Sequence, residues 1–149
     1  MNKGEQFQKG FTLIESLLVL SIFLILSMVT VVSLHPQHSV LQDEAFVTQL
    51  RADFLYSQQY AISHQDDVSV VLDTSQNKYY MIAKTERPPI VKREYSTNIH
   101  LIEGTMPLYF TFLSNGNVNK FGSFLIQTEK KTYRVTFLIG EGRFYVKEQ

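Results

Sequence analysis

Lys9-Gly10-Phe11-Thr12-Leu13-Ile14-Glu15 opens an apolar run that continues to Leu34. Glu15 is the only formal charge between Lys9 and Asp43. A carboxylate near the end of a membrane helix costs up to ~3 kcal/mol on insertion scales, so its presence points to a partner and a function. Phe11 to Leu34 covers about 24 residues, roughly 36 Å as a helix, which is enough to cross a bilayer with some tilt. No Gly or Pro interrupts the run, and Pro36 is the first residue able to bend or end it. Ser16, Ser21, Ser27, Thr30 and Ser33 are placed to bond back to helix carbonyls or across to a neighbouring helix. Lys3 and Lys9 precede the run, which puts that end in the cytoplasm by the positive-inside rule.

Three readings compete for this segment. A secretory signal peptide has a shorter apolar core followed by a small-residue cleavage site, and neither fits here. A plain single-pass anchor explains the length and the lysines but leaves Glu15 unexplained. A prepilin leader accounts for the basic start, Gly10, Phe11, Glu15 and the length together. The chain resembles type IV pilins and pseudopilins from this point on. The resemblance implies cleavage by a membrane prepilin peptidase between Gly10 and Phe11, N-methylation of the new Phe11 amine, and pairing of Glu15 with the Phe11 amine of a neighbouring subunit in an assembled fibre. A carboxylate is tolerated in an apolar bundle when a cation meets it and its lone pairs are filled. The competing physical reading is that Glu15 snorkels to the interface.

With 149 residues, the chain suits one small domain plus an anchor. Its 14 basic and 14 acidic residues cancel, which argues against nucleic-acid binding through bulk charge but leaves room for a local patch. There is no Cys, so the core holds without disulfides and no thiolate metal site exists. The 44% hydrophobic content, with 11 Phe and 8 Tyr, indicates a folded domain.

From Ser39 the pattern turns amphipathic. Val40, Val47, Leu50, Phe54 and Ala61 share a face with Phe46 and Ile62 beside them, while Asp43, Glu44, Arg51 and Asp53 are expected elsewhere. This predicts a helix over Val40 to Ser63 that continues the membrane helix past a bend at Pro36 and ends in His64-Gln65-Asp66-Asp67. After Asp67 short β-branched and aromatic runs alternate with turn residues. The expected strands are Val68–Leu72, Lys78–Ala83, Ile90–Tyr95, Ile99–Ile102, Leu108–Leu113, Ser123–Gln127, Tyr133–Leu138 and Arg143–Val146. Turns are expected at Asp73–Asn77, Asn115-Gly116 and Gly140-Glu141-Gly142, and a loop or edge at Pro88-Pro89.

The expected class is α+β: a long N-terminal helix, then an antiparallel β-sheet domain. The divisions are 1–10 leader, 11–34 membrane and assembly helix, 35–67 amphipathic continuation and 68–149 extracytoplasmic β domain. Leu50…Phe54…Tyr60-Ala61-Ile62, the strand Val68–Leu72, Phe112…Asn115-Gly116 and Tyr133-Arg134-Val135…Gly142-Arg143-Phe144 resemble the H-type minor pseudopilin domain. That family includes secretion pseudopilins and the competence minor pilins of Gram-positive bacteria. The ten-residue leader and the lack of Cys suit the competence branch. The resemblance implies a structural subunit, with other major and minor pilins, the prepilin peptidase and the membrane as partners, and with DNA met through the assembled pilus. One departure is Val32, which stands where many major pilins carry a proline.

No catalytic constellation, phosphate loop, metal site or cofactor motif emerges. His35 and His38 flank Pro36 without a third ligand, and His64 and His100 stand apart, so solvated imidazoles are expected. Asp66-Asp67 is expected in a turn. Lys84, Arg87, Lys92 and Arg93 cluster around Pro88-Pro89, and Lys120, Lys130, Lys131 and Arg134 form a looser set. If these cations converge they suit phosphates, with Tyr79, Tyr80 and Tyr95 available to stack on single strands. The bland alternative, a solvated loop on a neutral protein, carries more weight.

Overall fold

The computed structural model describes Thr12 to Gln149 apart from positions 86 and 141; over 31–42 it describes the helical backbone only. The leader, Gly10 and Phe11 lie outside the described residues. One α-helix, α1 (Leu13–His64), precedes eight strands: β1 (Val68–Asp73), β2 (Lys78–Ala83), β3 (Val91–Glu94), β4 (His100–Ile102), β5 (Tyr109–Phe112), β6 (Gly122–Gln127), β7 (Thr132–Phe137) and β8 (Phe144–Glu148). The chain divides into two compact units, Met1–Ser39 and Val40–Gln149, and the boundary falls just beyond Pro36.

Among the described residues, Leu13–Thr30 is long and apolar enough to cross a membrane, and none of it is buried. Its start is chemically defined. The Glu15 amide donates to Thr12 Oγ1 (3.4 Å) and to the Thr12 carbonyl (3.1 Å), so Thr12 caps the helix with Glu15 at the third helical position. Ser21 Oγ returns to the Leu18 carbonyl at 2.8 Å and Thr30 Oγ1 to that of Leu26 at 2.9 Å, which hides their hydroxyls from an apolar surrounding.

In the second unit the chain builds two four-stranded antiparallel sheets, ordered β3-β2-β1-β5 and β4-β6-β7-β8. The strand positions match the alternation in the sequence to within a residue or two. The antiparallel β domain expected is present and is divided into two sheets, because β4 leaves the first meander to pair with β6 (Leu101 opposite Ile126) and β5 returns to pair with β1 (Val70 opposite Phe110). Alternation tells which face a residue takes, not which strand it meets.

Phe54 joins the layers. Its ring lies 5.6 Å from that of Phe110 in the first sheet and 5.7 and 5.5 Å from those of Phe137 and Phe144 in the second. Leu50, Phe54 and Ala61 are buried with Val68, Val70, Met81, Phe112, Phe124 and Ile126. Two expectations are corrected here. Ile62 is 39% exposed, and Asp43 and Asp53 lie on the buried side of the helix, not the solvent side. At helical spacing Asp43, Phe46, Leu50, Asp53 and Ser57 form one stripe facing the sheets.

The helix ends at Gln65, whose φ of +51° lets the Asp66 amide reach the Ala61 carbonyl at 3.2 Å. Both following carboxylates then act as staples. Asp66 accepts from the Thr85 amide (2.9 Å) and hydroxyl, and Asp67 from the Ser114 amide (2.9 Å).

Candidate functional site

Three groups of residues bear on function: the helix start, the polar cluster under β3, and the basic residues of the domain. Glu15 sits in the first turn of α1 and is exposed. Among the described residues no cation forms a salt bridge with it. A carboxylate in the first turn interacts favourably with the helix dipole by about 0.3–1 kcal/mol. This local capping role is spelled in Thr12-Leu13-Ile14-Glu15 and adds to any role the residue has toward a neighbour.

Asp53 is the opposite case. Its Oδ2 accepts from Tyr79 Oη at 2.7 Å and Arg93 Nε at 2.6 Å, and its Oδ1 from Gln49 Nε2 at 2.9 Å and Arg93 Nη2 at 3.2 Å. A carboxylate with this many donors is well compensated for burial. Burial first, then the bond to Asp53, drives the Tyr79 hydroxyl far above its usual range, and the Asp53 bond raises Arg93. Beside this cluster a cavity of about 410 Å³ is lined by Phe46, Gln49, Tyr79, Arg93 and Tyr95 among others. Burial pushes the Tyr95 hydroxyl up to about 12.

The four basic residues singled out around Pro88-Pro89 are not one surface. Arg93 turns toward α1 and is engaged by Asp53, while Lys92, its neighbour on β3, takes the other face of the strand. Lys84 and Arg87 are exposed in the connection between β2 and β3. The second set is dispersed as well. Lys131 bridges Glu44 (3.0 Å) and Glu148 (3.2 Å), which raises its pKa. Lys120 Nζ donates to the Tyr109 carbonyl at 3.0 Å and lies 4.9 Å from the centre of that ring. Of the three tyrosines proposed for stacking, Tyr79 is buried and Tyr95 half-buried on the helix side; Tyr80 alone takes the outer face.

Gln58 was not legible as a site residue. Its Nε2 donates to the Gly116 carbonyl (2.7 Å) and the Gly142 carbonyl (3.1 Å), tying two turns to the helix. A Cβ on Gly142, which has φ +59°, would stand 1.9 Å from the Gly116 oxygen. Close approach of two backbones explains glycine at 142, while at Gly116 (φ +82°) a Cβ would press on the Ile62 side chain at 2.8 Å.

The family described as "Prokaryotic N-terminal methylation motif" matches residues 6–31. Competence protein ComGD of Bacillus subtilis (strain 168) is 29% identical over 149 residues, all of both chains. Among solved structures, the type IV minor pilin FimU of Pseudomonas aeruginosa superposes with a TM-score of 0.57 at 17% identity, covering 76% of this chain and 91% of that one. The minor pseudopilin EpsH from the type 2 secretion system of Vibrio cholerae gives 0.52 at 14%, covering 73% and 95%. The fold is therefore pilin-like, an apolar N-terminal helix followed by an antiparallel β domain, and the N-terminal motif with its apolar helix indicates membrane anchoring.

Proposed function

We propose that this chain is a minor pilin subunit of a competence type IV pilus, required for assembly of the fibre and for uptake of DNA. The observation that carries this reading is the methylation motif at residues 6–31 followed by full-length similarity to a competence protein. On this reading the role is structural and not enzymatic. The prepilin peptidase cuts after Gly10, the Phe11 amine is methylated, and the helix from Phe11 onward stays in the membrane with its leader end cytoplasmic until the subunit enters the fibre. Glu15 then meets the Phe11 amine of a neighbouring pilin. A second reading, a minor pseudopilin of a type II secretion system, is favoured by the fold shared with EpsH. A third is a tethered binding module that never polymerises.

Mass spectrometry of the protein from its own cells tests the first step. The mature chain is expected to start at N-methylated Phe11, and Gly10→Val is expected to leave the precursor intact. A leader that persists beside an active peptidase would favour the tethered module. Loss of transformation on deletion of the gene, with protein secretion intact, would separate the competence reading from the secretion reading. A gene neighbourhood with DNA-uptake genes would point the same way.

A further inference from the structure

The outer face of the first sheet carries a row of aromatic and basic residues. Val71 of β1 lies opposite Tyr80 of β2 on one side and Tyr109 of β5 on the other, and Tyr80 lies opposite Lys92 of β3. Cross-strand partners share a face, and the residues between them along each strand (Val70, Leu72, Tyr79, Met81, Phe110) are buried beneath the helix side. The row therefore lies on the outer face as Lys92, Tyr80, Val71, Tyr109, with Lys92 and Tyr109 exposed, Tyr80 and Val71 half-buried, and the Lys120 ammonium over the Tyr109 ring. Tyr109 is 50% exposed, although a tyrosine at a sheet edge gains nothing for the core by remaining so. Lys78 adds a third cation on the same face, offset by Glu94 at 3.2 Å, and Asp73 turns into its own turn to accept from the Ser75 and Gln76 amides.

We propose that this face binds single-stranded nucleic acid, with bases stacking on Tyr80 and Tyr109 and phosphates meeting Lys92 and Lys120. Tyr80 and Tyr109 sit on strands two spacings, about 10 Å, apart with the shorter Val71 between them, and since Lys120 covers one face of the Tyr109 ring a base would stack on the other. Stacking suits unpaired bases of any sequence, and flanking lysines supply the charge that a neutral chain lacks overall. The match is to a polyanion with flat apolar faces, which distinguishes it from a protein surface or a lipid headgroup. The proposal gives the DNA-uptake reading a contact surface and rests on it only for its biological setting; the binding itself is a property of the folded domain.

The test uses the full chain in neutral detergent micelles, titrated with fluorescent dT20 and with a 20-base-pair duplex at low and physiological salt. The expected result is tighter binding to dT20 than to the duplex, with tyrosine emission quenched on binding; the chain has no Trp to obscure that signal. Tyr80→Ala with Tyr109→Ala is expected to weaken dT20 binding about tenfold or more, and Tyr→Phe at both positions to retain it. Lys92→Ala with Lys120→Ala should weaken binding and flatten its salt dependence by about 0.7 log units per lost contact. Lys84→Ala with Arg87→Ala should change little. Equal affinity for the duplex, indifference to the tyrosine changes in a protein whose melting is unaltered, or no binding at low salt would each overturn the proposal. Leader processing is unaffected by any of these outcomes, so failure here is distinguishable from failure of the pilin reading.

Discussion

Over Leu13–Thr30 the large apolar side chains of α1 are 49% to 79% exposed, whereas further along the same helix Leu50, Phe54 and Ala61 are exposed by 1% or less. The second region completes itself: its apolar face is spent on two sheets and its buried Asp53 finds donors within the chain. The first region satisfies its backbone and the Ser21 and Thr30 hydroxyls but leaves its apolar side chains uncovered, which is the condition for lying in hydrocarbon. Fully covering each exposed leucine or isoleucine is worth about 1.5–3 kcal/mol, a gain that an apolar surrounding supplies. Two carboxylates mark the contrast. Asp53 has four donors and Glu15 has no salt-bridge partner among the described residues.

The sharpest way to break this contrast is to remove the ring at the junction of the two sheets. Phe54→Ala is expected to destabilise the domain by about 3–5 kcal/mol, since Phe110, Phe112, Phe124, Phe137 and Phe144 all lose a ring neighbour and cannot all collapse inward. Chemical denaturation followed by circular dichroism measures it. Membrane insertion of the same variant should be unchanged. A joint loss of both would mean that the two regions are not energetically separate.

A smaller effect is expected at the polar cluster. Arg93→Ala leaves Asp53 buried with the donors Tyr79 and Gln49 only. The cost is about 1.5 kcal/mol, below the value for a fully buried pair because the guanidinium is 47% exposed. The Asp53→Ala/Arg93→Ala double variant should cost less than the sum of the two single changes, because each alone already removes the shared interaction. Additivity in that double-mutant cycle would show that the contacts do not couple.

What was legible in the residues follows the same division. The apolar N-terminal helix and the eight strands are readable because their signals are local: an uninterrupted apolar run, a period of two, and turn residues between. The two-sheet arrangement was not, because it depends on β4 and β5 exchanging sheets, which alternation cannot encode. Asp53 was assigned to solvent because a charge on an amphipathic helix usually belongs there. Its position on the Phe46, Leu50, Ser57 stripe was the available signal. The grouping of Lys84, Arg87, Lys92 and Arg93 failed as a surface for a related reason: adjacent residues on a strand point to opposite faces, so Lys92 and Arg93 could never share one.

A pH-dependent effect should be smaller still. The Thr85 hydroxyl, then the Thr85 amide, hold the Asp66 carboxyl below its ordinary 3.8. The folded state thus binds its proton less readily than the unfolded state. The stabilisation is present above the ordinary value and is lost as pH falls through the lowered one. Thr85→Val removes the hydroxyl donor and leaves the amide. Its melting temperature should lie below that of the parent at neutral pH, and the gap should close as pH drops below about 3.8. A gap independent of pH would assign the cost to packing and not to the carboxylate.

The smallest effect on stability is expected at Glu15, and it is the most informative about the first region. Glu15→Val removes one favourable charge from the first turn of α1 but leaves Thr12 as the cap, a change of a few tenths of a kcal/mol in a helix that packs against nothing in its own unit. Denaturation of the β domain should therefore be unchanged. Membrane insertion should be as good or better, because a charge has left an apolar span. On our proposal the cost falls on assembly. Crosslinking to other pilins and recovery in sheared fibres should drop while the subunit persists in the membrane. If crosslinking and transformation were untouched, the carboxylate would be a capping and snorkelling residue only. The first region would then be completed by apolar contacts alone.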